Sequence, residues 1–172
     1  MVSMLESDGR PAAAETLLAA AEAVLDRAPA EAPLTAFRAA PPELWWWLHT
    51  GGARQSPRLR EVLPSLPDEA VQMRFTGKKG DVTLRDGFRI YQLFRELWQR
   101  HRGEPGPAAR ALEFGCGWGR ITRFFLRDFP PDRLVGIDCL PEMVELCRRT
   151  NRWATFEAVA PLPPTHLAAE SF

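Results

Sequence analysis

The feature that most constrains this 172-residue chain is the segment Glu113–Arg120, EFGCGWGR, with glycine at alternate positions. It follows an apolar run, Arg110–Phe114, that predicts a short β-strand. It precedes a run, Ile121–Phe125, whose apolar spacing predicts a helix. Glycines let a backbone turn sharply and approach a ligand, and a helix N-terminus presents unpaired N–H groups. The segment therefore predicts a ligand-binding turn at the carboxyl end of a parallel strand.

The elements that follow this turn alternate between strand and helix. Leu134–Asp138 predicts a second strand, and Pro141 begins a second amphipathic helix. Ala154–Val159 predicts a third strand. Short strand–helix–strand connections of this kind build parallel sheets with right-handed crossovers. We therefore expect an α/β fold with a Rossmann-like parallel sheet, preceded by a helical N-terminal region.

Two classes of ligand compete for the glycine-rich turn. A dinucleotide site has the pattern G-x-G-x-x-G, which would require a small residue where Arg120 stands. An acid two residues before the first glycine, Glu113, suits a ligand with an ammonium group better than a pyrophosphate. The pattern E-x-G-x-G-x-G therefore disfavours an NAD-dependent oxidoreductase and favours a ligand with an amino-acid end.

The end of the second strand adds a second ligand contact. Asp138 follows Gly119 by 19 residues and ends the apolar run LVGID. A carboxylate at this place can accept two hydrogen bonds from the vicinal hydroxyls of a ribose. Cys139 and Leu140 come directly after it and can form one wall of an adenine pocket.

These motifs together resemble a known family. The runs ALEFGCGWGRITRFF and VGIDCLPEMVELCRR are similar to the first two motifs of class I (Rossmann-like) S-adenosylmethionine-dependent methyltransferases, over about Ala109–Phe172. The resemblance implies S-adenosylmethionine as cofactor and methyl transfer to a small-molecule acceptor. The cofactor-binding positions that it implies are Glu113, Phe114, Gly115, Cys116, Gly117, Gly119, Asp138, Cys139 and Leu140. Residues Glu157 or Ala158 would lie near the adenine.

The resemblance also sets an expected domain division. Residues 83–172 would be the N-terminal half of the cofactor-binding domain, and residues 1–82 a helical and loop-rich cap region. The family's sheet has seven strands in the order 3-2-1-4-5-7-6, and only the first three are found here, so the domain appears truncated. An unpaired edge on the first strand invites pairing. We hypothesise a fragment of a longer protein, or a homo-oligomer or second chain that completes the sheet.

The sequence alone does not identify the catalytic residues. The resemblance implies that substrate-binding and catalytic groups lie beyond the fourth strand, which is not found here, and His166 stands in a proline-rich tail. A non-catalytic S-adenosylmethionine-binding module or pseudoenzyme is therefore an alternative to an active enzyme. Arg120, Arg123 and Arg127 leave two possibilities open, contact with an anionic substrate or a solvated helix face.

Helical spacing dominates the region before the turn. Adjacent helical residues point about 100° apart, so Trp45, Trp46 and Trp47 cannot all share one face and at least one should be partly exposed. Gly51-Gly52 would end their short helix. Helices are predicted over Pro11–Asp26, Pro42–His49 and Thr83–Arg102, with a loop-rich segment over 54–80 in which Pro67–Phe75 can form a short helix.

Composition narrows the partners and the location. The 22 Lys and Arg residues balance the 22 Asp and Glu residues, so no basic excess points to nucleic acid. No apolar run approaches the roughly 18 residues of a membrane span. The three cysteines show no C-x-x-C pair and the three histidines no ligand spacing, so no metal site is expected. Reduced thiols of this kind are typical of a cytoplasmic protein.

Overall fold

The computed structural model describes residues 11–106, 108–162, 165–167 and 172. Helices precede the sheet, as the sequence predicts. The helices are α1 (Pro11–Leu25), α2 (Pro42–Trp47), α3 (Ala53–Gln55), α4 (Pro57–Val62), α5 (Glu69–Thr76), α6 (Gly80–Arg102), α7 (Thr122–Phe125) and α8 (Pro141–Thr150). Short 3₁₀ turns lie at Pro33–Phe37 and Pro131–Arg133.

The sheet has three parallel strands in the order β1-β2-β3: β1 (Ala111–Phe114), β2 (Leu134–Asp138) and β3 (Thr155–Ala158). Leu112 of β1 lies opposite Val135 of β2, and Val135 lies opposite Thr155 of β3. Every residue of the central strand β2 is buried. This arrangement confirms the predicted α/β fold with a Rossmann-like parallel sheet.

The two glycines predicted to end the tryptophan-bearing helix do not end it. The helix continues from α2 through a π-helical turn, Leu48–Gly52, into α3. Neither Gly51 nor Gly52 has a positive φ. A Cβ at Gly51 would lie 2.7 Å from Nε1 of Trp47, and one at Gly52 would lie 2.9 Å from Cζ3 of the same ring. The glycines therefore make room for Trp47 and do not cap a helix.

The segment predicted as loop-rich, 54–80, contains α5, close to the short helix predicted over Pro67–Phe75, and α4, which was not predicted. Ser56 begins α4, and its hydroxyl accepts a hydrogen bond from Leu59 N at 3.3 Å. Helix α6 begins at Gly80, before the predicted Thr83, because Gly80 N donates to the Gln72 side chain at 2.8 Å. This bond satisfies one of the N–H groups that a helix start leaves unpaired.

One hydrophobic core joins the N-terminal helices to the sheet. The fully buried side chains of Trp45, Leu84 and Phe124 belong to the same cluster as Leu134 at the start of β2. Trp46 and Trp47 are only partly buried, as the helical spacing requires. The predicted boundary between residues 82 and 83 falls within α6 (Gly80–Arg102) and stays a prediction.

Two of the three arginines after the glycine-rich turn are buried, so neither possibility raised for them holds. Arg123 and Arg127 are 2% and 3% exposed. Arg123 donates to Pro64 O at 2.7 Å and to Ser65 O at 2.8 Å, and Arg127 donates to Arg38 O. Burial lowers the pKa of Arg123 to about 10. These cations therefore fasten the N-terminal region to the segment after the glycine-rich turn.

A buried histidine gives the core a dependence on pH. The His49 ring lies 4.6 Å from the Trp45 ring and 4.8 Å from the Phe124 ring. Among the described residues, neither of its nitrogens has a hydrogen-bond partner. Burial, and then the charge of Arg123, lower the pKa of His49 well below its ordinary value. The imidazole is therefore neutral in the folded protein at neutral pH.

The free energy of unfolding is expected to fall on acidification, because the unfolded chain takes up a proton on this histidine and the folded chain does not. The loss begins below an unfolded pKa of about 6.5 and reaches at most about 1.4 kcal/mol per pH unit. Urea denaturation at a series of pH values measures it. His49→Phe should lose this part of the pH dependence, and His101→Phe at an exposed site should keep it. An unchanged profile for His49→Phe would contradict the assignment.

Candidate functional site

The glycine-rich turn has the backbone geometry that its sequence predicts. Gly115, Gly117 and Gly119 have φ values of 75°, 52° and 75°. A side chain rarely adopts this left-handed region, so glycine is required at these positions. A Cβ added at Gly115 or Gly117 would have no other heavy atom within 4 Å. The turn therefore presents open backbone to a ligand.

Backbone hydrogen bonds hold the start of the turn beside the end of β2. Gly115 N and Cys116 N both donate to Ile137 O, at 2.8 and 3.0 Å. Gly119 N closes the turn by donating to Cys116 O at 2.9 Å. The carboxyl ends of β1 and β2 thus lie side by side, with the turn above them.

Asp138, at the end of β2, lies directly against this turn. Its Oδ2 accepts a hydrogen bond from Gly117 N at 2.7 Å, and its Oδ1 accepts one from Leu140 N at 2.9 Å. A carboxylate oxygen has two acceptor positions, so each oxygen keeps one for a ligand hydroxyl. The structure thus brings together the glycine-rich turn and the acid that the sequence singled out.

Glu113 is the last but one residue of β1, just before the turn. Its carboxylate accepts a hydrogen bond from the Thr122 hydroxyl at the start of α7. Burial, and to a smaller degree the charge of Asp138, raise the pKa of Glu113 to about 7, while Thr122 and Arg120 act in the opposite direction. Near neutral pH this carboxyl is therefore divided between its charged and neutral forms.

The binding of a ligand with an ammonium group is expected to depend on the charge of Glu113. Because the carboxyl has a pKa of about 7, it is mainly neutral at lower pH and gains the charge that attracts an ammonium as the pH rises. Affinity for S-adenosylhomocysteine should increase several-fold between about pH 6 and about pH 8. Calorimetric titration at each pH measures this. Glu113→Gln should abolish the increase, and an equal increase in that variant would contradict the role.

The remaining residues that the sequence predicts to bind the cofactor differ in their exposure to solvent. Phe114 is 71% exposed, and its side chain faces the open edge of β1. Cys139 is exposed and Leu140 is 37% exposed, so both present side chains beyond the end of β2. Ala158, at the end of β3, is paired with Asp138. The residues that follow Asp138 at the end of β2 are therefore accessible to a ligand.

Sequence reasoning missed the groups that support the turn from below. Gly136 leaves room on β2 for Phe156, since a Cβ there would lie 2.8 Å from the Phe156 ring. Phe156 and Cys147 in turn lie within 4 Å of a Cβ placed at Gly119. A glycine inside an otherwise apolar strand is the one sequence signal of this close approach. Nothing in the local pattern identifies Thr122 as the partner of Glu113.

An apolar groove of about 650 Å³ runs along the open edge of β1 as far as Gly115. Among the described residues, β1 pairs with β2 alone. The groove lies between this strand and helix α6. Its apolar lining includes Phe94, Leu97, Leu112, Phe114 and Phe125. An unpaired strand edge beside apolar side chains is a surface that favours the addition of another strand.

Across residues 11–106, 108–162, 165–167 and 172, there is no group of three His, Cys, Asp or Glu side chains that could hold a metal ion. Within the same residues, none of the helices is both long enough and apolar enough to cross a membrane.

Comparison with known proteins identifies the class of this segment. Residues 111–162, which contain all three strands and the glycine-rich turn, match the family described as a methyltransferase domain. Malonyl-(acyl-carrier protein) O-methyltransferase of Bacteroides thetaiotaomicron is 41% identical over 51 residues, which are 30% of this chain and 19% of that protein. No solved structure matches significantly. Residues 111–162 are thus similar to a class I methyltransferase domain, and their three parallel strands are consistent with its Rossmann-like fold. The chain thus aligns with about a fifth of the length of this curated relative.

Proposed function

We propose that this chain binds S-adenosylmethionine at the ends of β1 and β2, and that the protein transfers its methyl group to a small-molecule acceptor. One observation carries the proposal: the Asp138 carboxylate accepts a 2.7 Å hydrogen bond from Gly117 N, between neighbouring parallel strands. Ligands of open α/β sheets bind at such strand ends. The matched methyltransferase domain supports the same conclusion.

The residues present fit this cofactor. Gly115 and Gly117 leave open backbone where the methionine end would lie. Glu113 would bind its ammonium group, and Asp138 would accept hydrogen bonds from the ribose hydroxyls. Cys139 and Leu140 would contact the adenine. When bound, the cofactor supplies a methyl group already activated by a sulfonium, so the protein's part is alignment and the exclusion of water.

The position of Arg120 argues against the alternative of a dinucleotide cofactor. Its side chain lies against Gly87 of α6, and it donates to Thr83 O at 3.4 Å. A pyrophosphate site requires a small residue at this place so that helix and strand pack closely. The site therefore supports methyl transfer better than NAD-dependent oxidoreduction.

For the methyl acceptor, we propose a chemical class and not a particular molecule. The relative acts, by its name, on an oxygen of a malonyl group carried by a protein. Small carboxylic acids and their thioesters are therefore the first acceptors to test. No catalytic base is assigned, and the contact of His166 with Glu157 does not by itself make it one. A carboxylate acceptor is already nucleophilic and would need no base.

Transfer of an isotope-labelled methyl group tests the activity. The protein would be incubated with S-adenosylmethionine labelled in its methyl group and a panel of small acids, thioesters and phenols. We expect label in at least one acceptor, with inhibition by S-adenosylhomocysteine and loss of transfer in Asp138→Ala. Cofactor binding with no transfer to any acceptor would favour the non-catalytic module instead.

The net charge of the chain and the open edge of β1 support two further proposals about its partners. The formal net charge of zero supports a small-molecule substrate over nucleic acid. We propose that a further strand, from a second copy or from more of the same protein, pairs with β1 along the groove. A folded, soluble monomer of this chain in light scattering would count against that. The three unpaired cysteines support a cytoplasmic location.

A further inference from the structure

Two buried thiols meet beneath the glycine-rich turn. The Cys147 thiol of α8 donates to Gly117 O at 3.1 Å, and the Cys116 sulfur lies 3.8 Å from the same oxygen. Both side chains are buried, in a small cluster with Val144 and Phe156. A single carbonyl oxygen therefore brings together one sulfur from the turn and one from the helix packed behind it.

The surroundings of the Cys116 thiol keep it protonated while the turn is closed. The neighbouring Cys147 thiol and burial both raise the pKa of Cys116. Because the thiolate is the form that attacks a disulfide, the closed turn disfavours oxidation. Reaction would therefore require the turn to move away from α8 and admit water and an oxidant.

We propose that Cys116 and Cys147 form a reversible disulfide that fixes the glycine-rich turn to α8 and prevents cofactor binding. The proposal rests on the cofactor site proposed above. A disulfide such as oxidised glutathione is the oxidant class. One cysteine thiolate displaces a glutathione thiolate to form a mixed disulfide, and the second cysteine then displaces the other. The S–S bond of glutathione breaks, one protein S–S bond forms, and the two cysteine protons pass to the displaced thiolates to give two glutathione thiols.

The expected consequence follows from the residue between the two sulfurs. In the reduced protein, Gly117 O accepts a hydrogen bond from the Cys147 thiol, and oxidation removes this donor. It also brings the two sulfurs to the S–S bonding distance. Gly117 is also the residue whose N–H contacts Asp138. Displacing this peptide unit disturbs the backbone against which the cofactor would bind. We expect the affinity for S-adenosylhomocysteine to fall at least about tenfold.

The test uses Cys139→Ser, so that the exposed third thiol does not compete. The protein is incubated with oxidised glutathione, and the product is examined by intact mass and by peptide mapping. We expect the loss of two hydrogens and a peptide that joins Cys116 to Cys147. Calorimetric titration with S-adenosylhomocysteine then compares the reduced, oxidised and re-reduced samples of this one variant. Binding should weaken on oxidation and return on reduction.

The double variant Cys139→Ser/Cys147→Ser is the matched control. Its thermal unfolding shows whether it folds, and intact mass shows whether Cys116 carries glutathione. The fraction without bound glutathione should keep the affinity of the untreated sample. Failure to form the intramolecular disulfide, or a disulfide that leaves binding unchanged, would overturn the proposal. If the reduced, unmodified protein does not bind S-adenosylhomocysteine, the proposed function fails and the regulatory effect with it. Peptide mapping decides the pairing of the two cysteines in either case.

Discussion

Replacing Asp138 by alanine is expected to weaken the binding of S-adenosylhomocysteine by on the order of 100-fold, because two effects act together. The ligand loses a charged acceptor for its ribose hydroxyls. The turn loses the carboxylate that accepts from Gly117 N at 2.7 Å and from Leu140 N at 2.9 Å. Calorimetric titration of both proteins under the same conditions measures the ratio of their dissociation constants.

Asp132→Ala is the matched control for this measurement. Asp132 is the same residue type, just before β2, but its side chain is 73% exposed and its ion pair is with the adjacent Arg133. Its substitution should leave the affinity unchanged. Equal affinities for Asp138→Ala and the unmodified protein would show that the end of β2 does not contact the ligand. Equal losses in the two variants would show a nonspecific effect.

Trp45→Ala is expected to lower the free energy of unfolding by about 3–5 kcal/mol, the range for deletion of a large buried aromatic side chain. Trp45 is fully buried, its ring lies 5.8 Å from the Phe37 ring, and its Nε1 donates to Phe124 O at 3.1 Å. The substitution leaves a cavity and also removes this hydrogen bond. Urea denaturation followed by circular dichroism measures the change.

Trp46→Ala provides the comparison, because it makes the same change one residue along. Trp46 is only partly buried, with its ring 5.4 Å from the Phe88 ring, so a loss of about 1–2 kcal/mol is expected. The large difference follows from a core shared by the N-terminal helices and α7. Similar small losses for the two variants would mean that the N-terminal region does not depend on this contact.

The sequence was sufficient where local pattern alone determines structure. Alternating glycines between an apolar strand and a helix required a tight turn, and all three glycines have positive φ. Asp138 could be placed because neighbouring parallel strands end at one edge of the sheet. The fold class followed from the strand–helix alternation, which the parallel register of β1 and β2 confirms.

Sequence was insufficient where a distant contact decides the structure. Gly51 and Gly52 have the local signature of a helix end, but the Trp47 ring occupies the space beside them. Arg123 and Arg127 have the spacing of a solvated face, yet carbonyl oxygens of the N-terminal region bind their guanidinium groups. The Thr122 hydroxyl likewise donates to Glu113 from the far side of the glycine-rich turn. Such long-range contacts carry no local signal.

The most direct measurement is a calorimetric titration of the unmodified chain with S-adenosylhomocysteine, and separately with NADH, after circular dichroism shows that it is folded. The site described by Gly115, Gly117 and Asp138 predicts saturable binding of one S-adenosylhomocysteine per chain and no response to NADH. A folded chain that binds NADH, or that binds neither ligand, would contradict the assignment of this turn to S-adenosylmethionine.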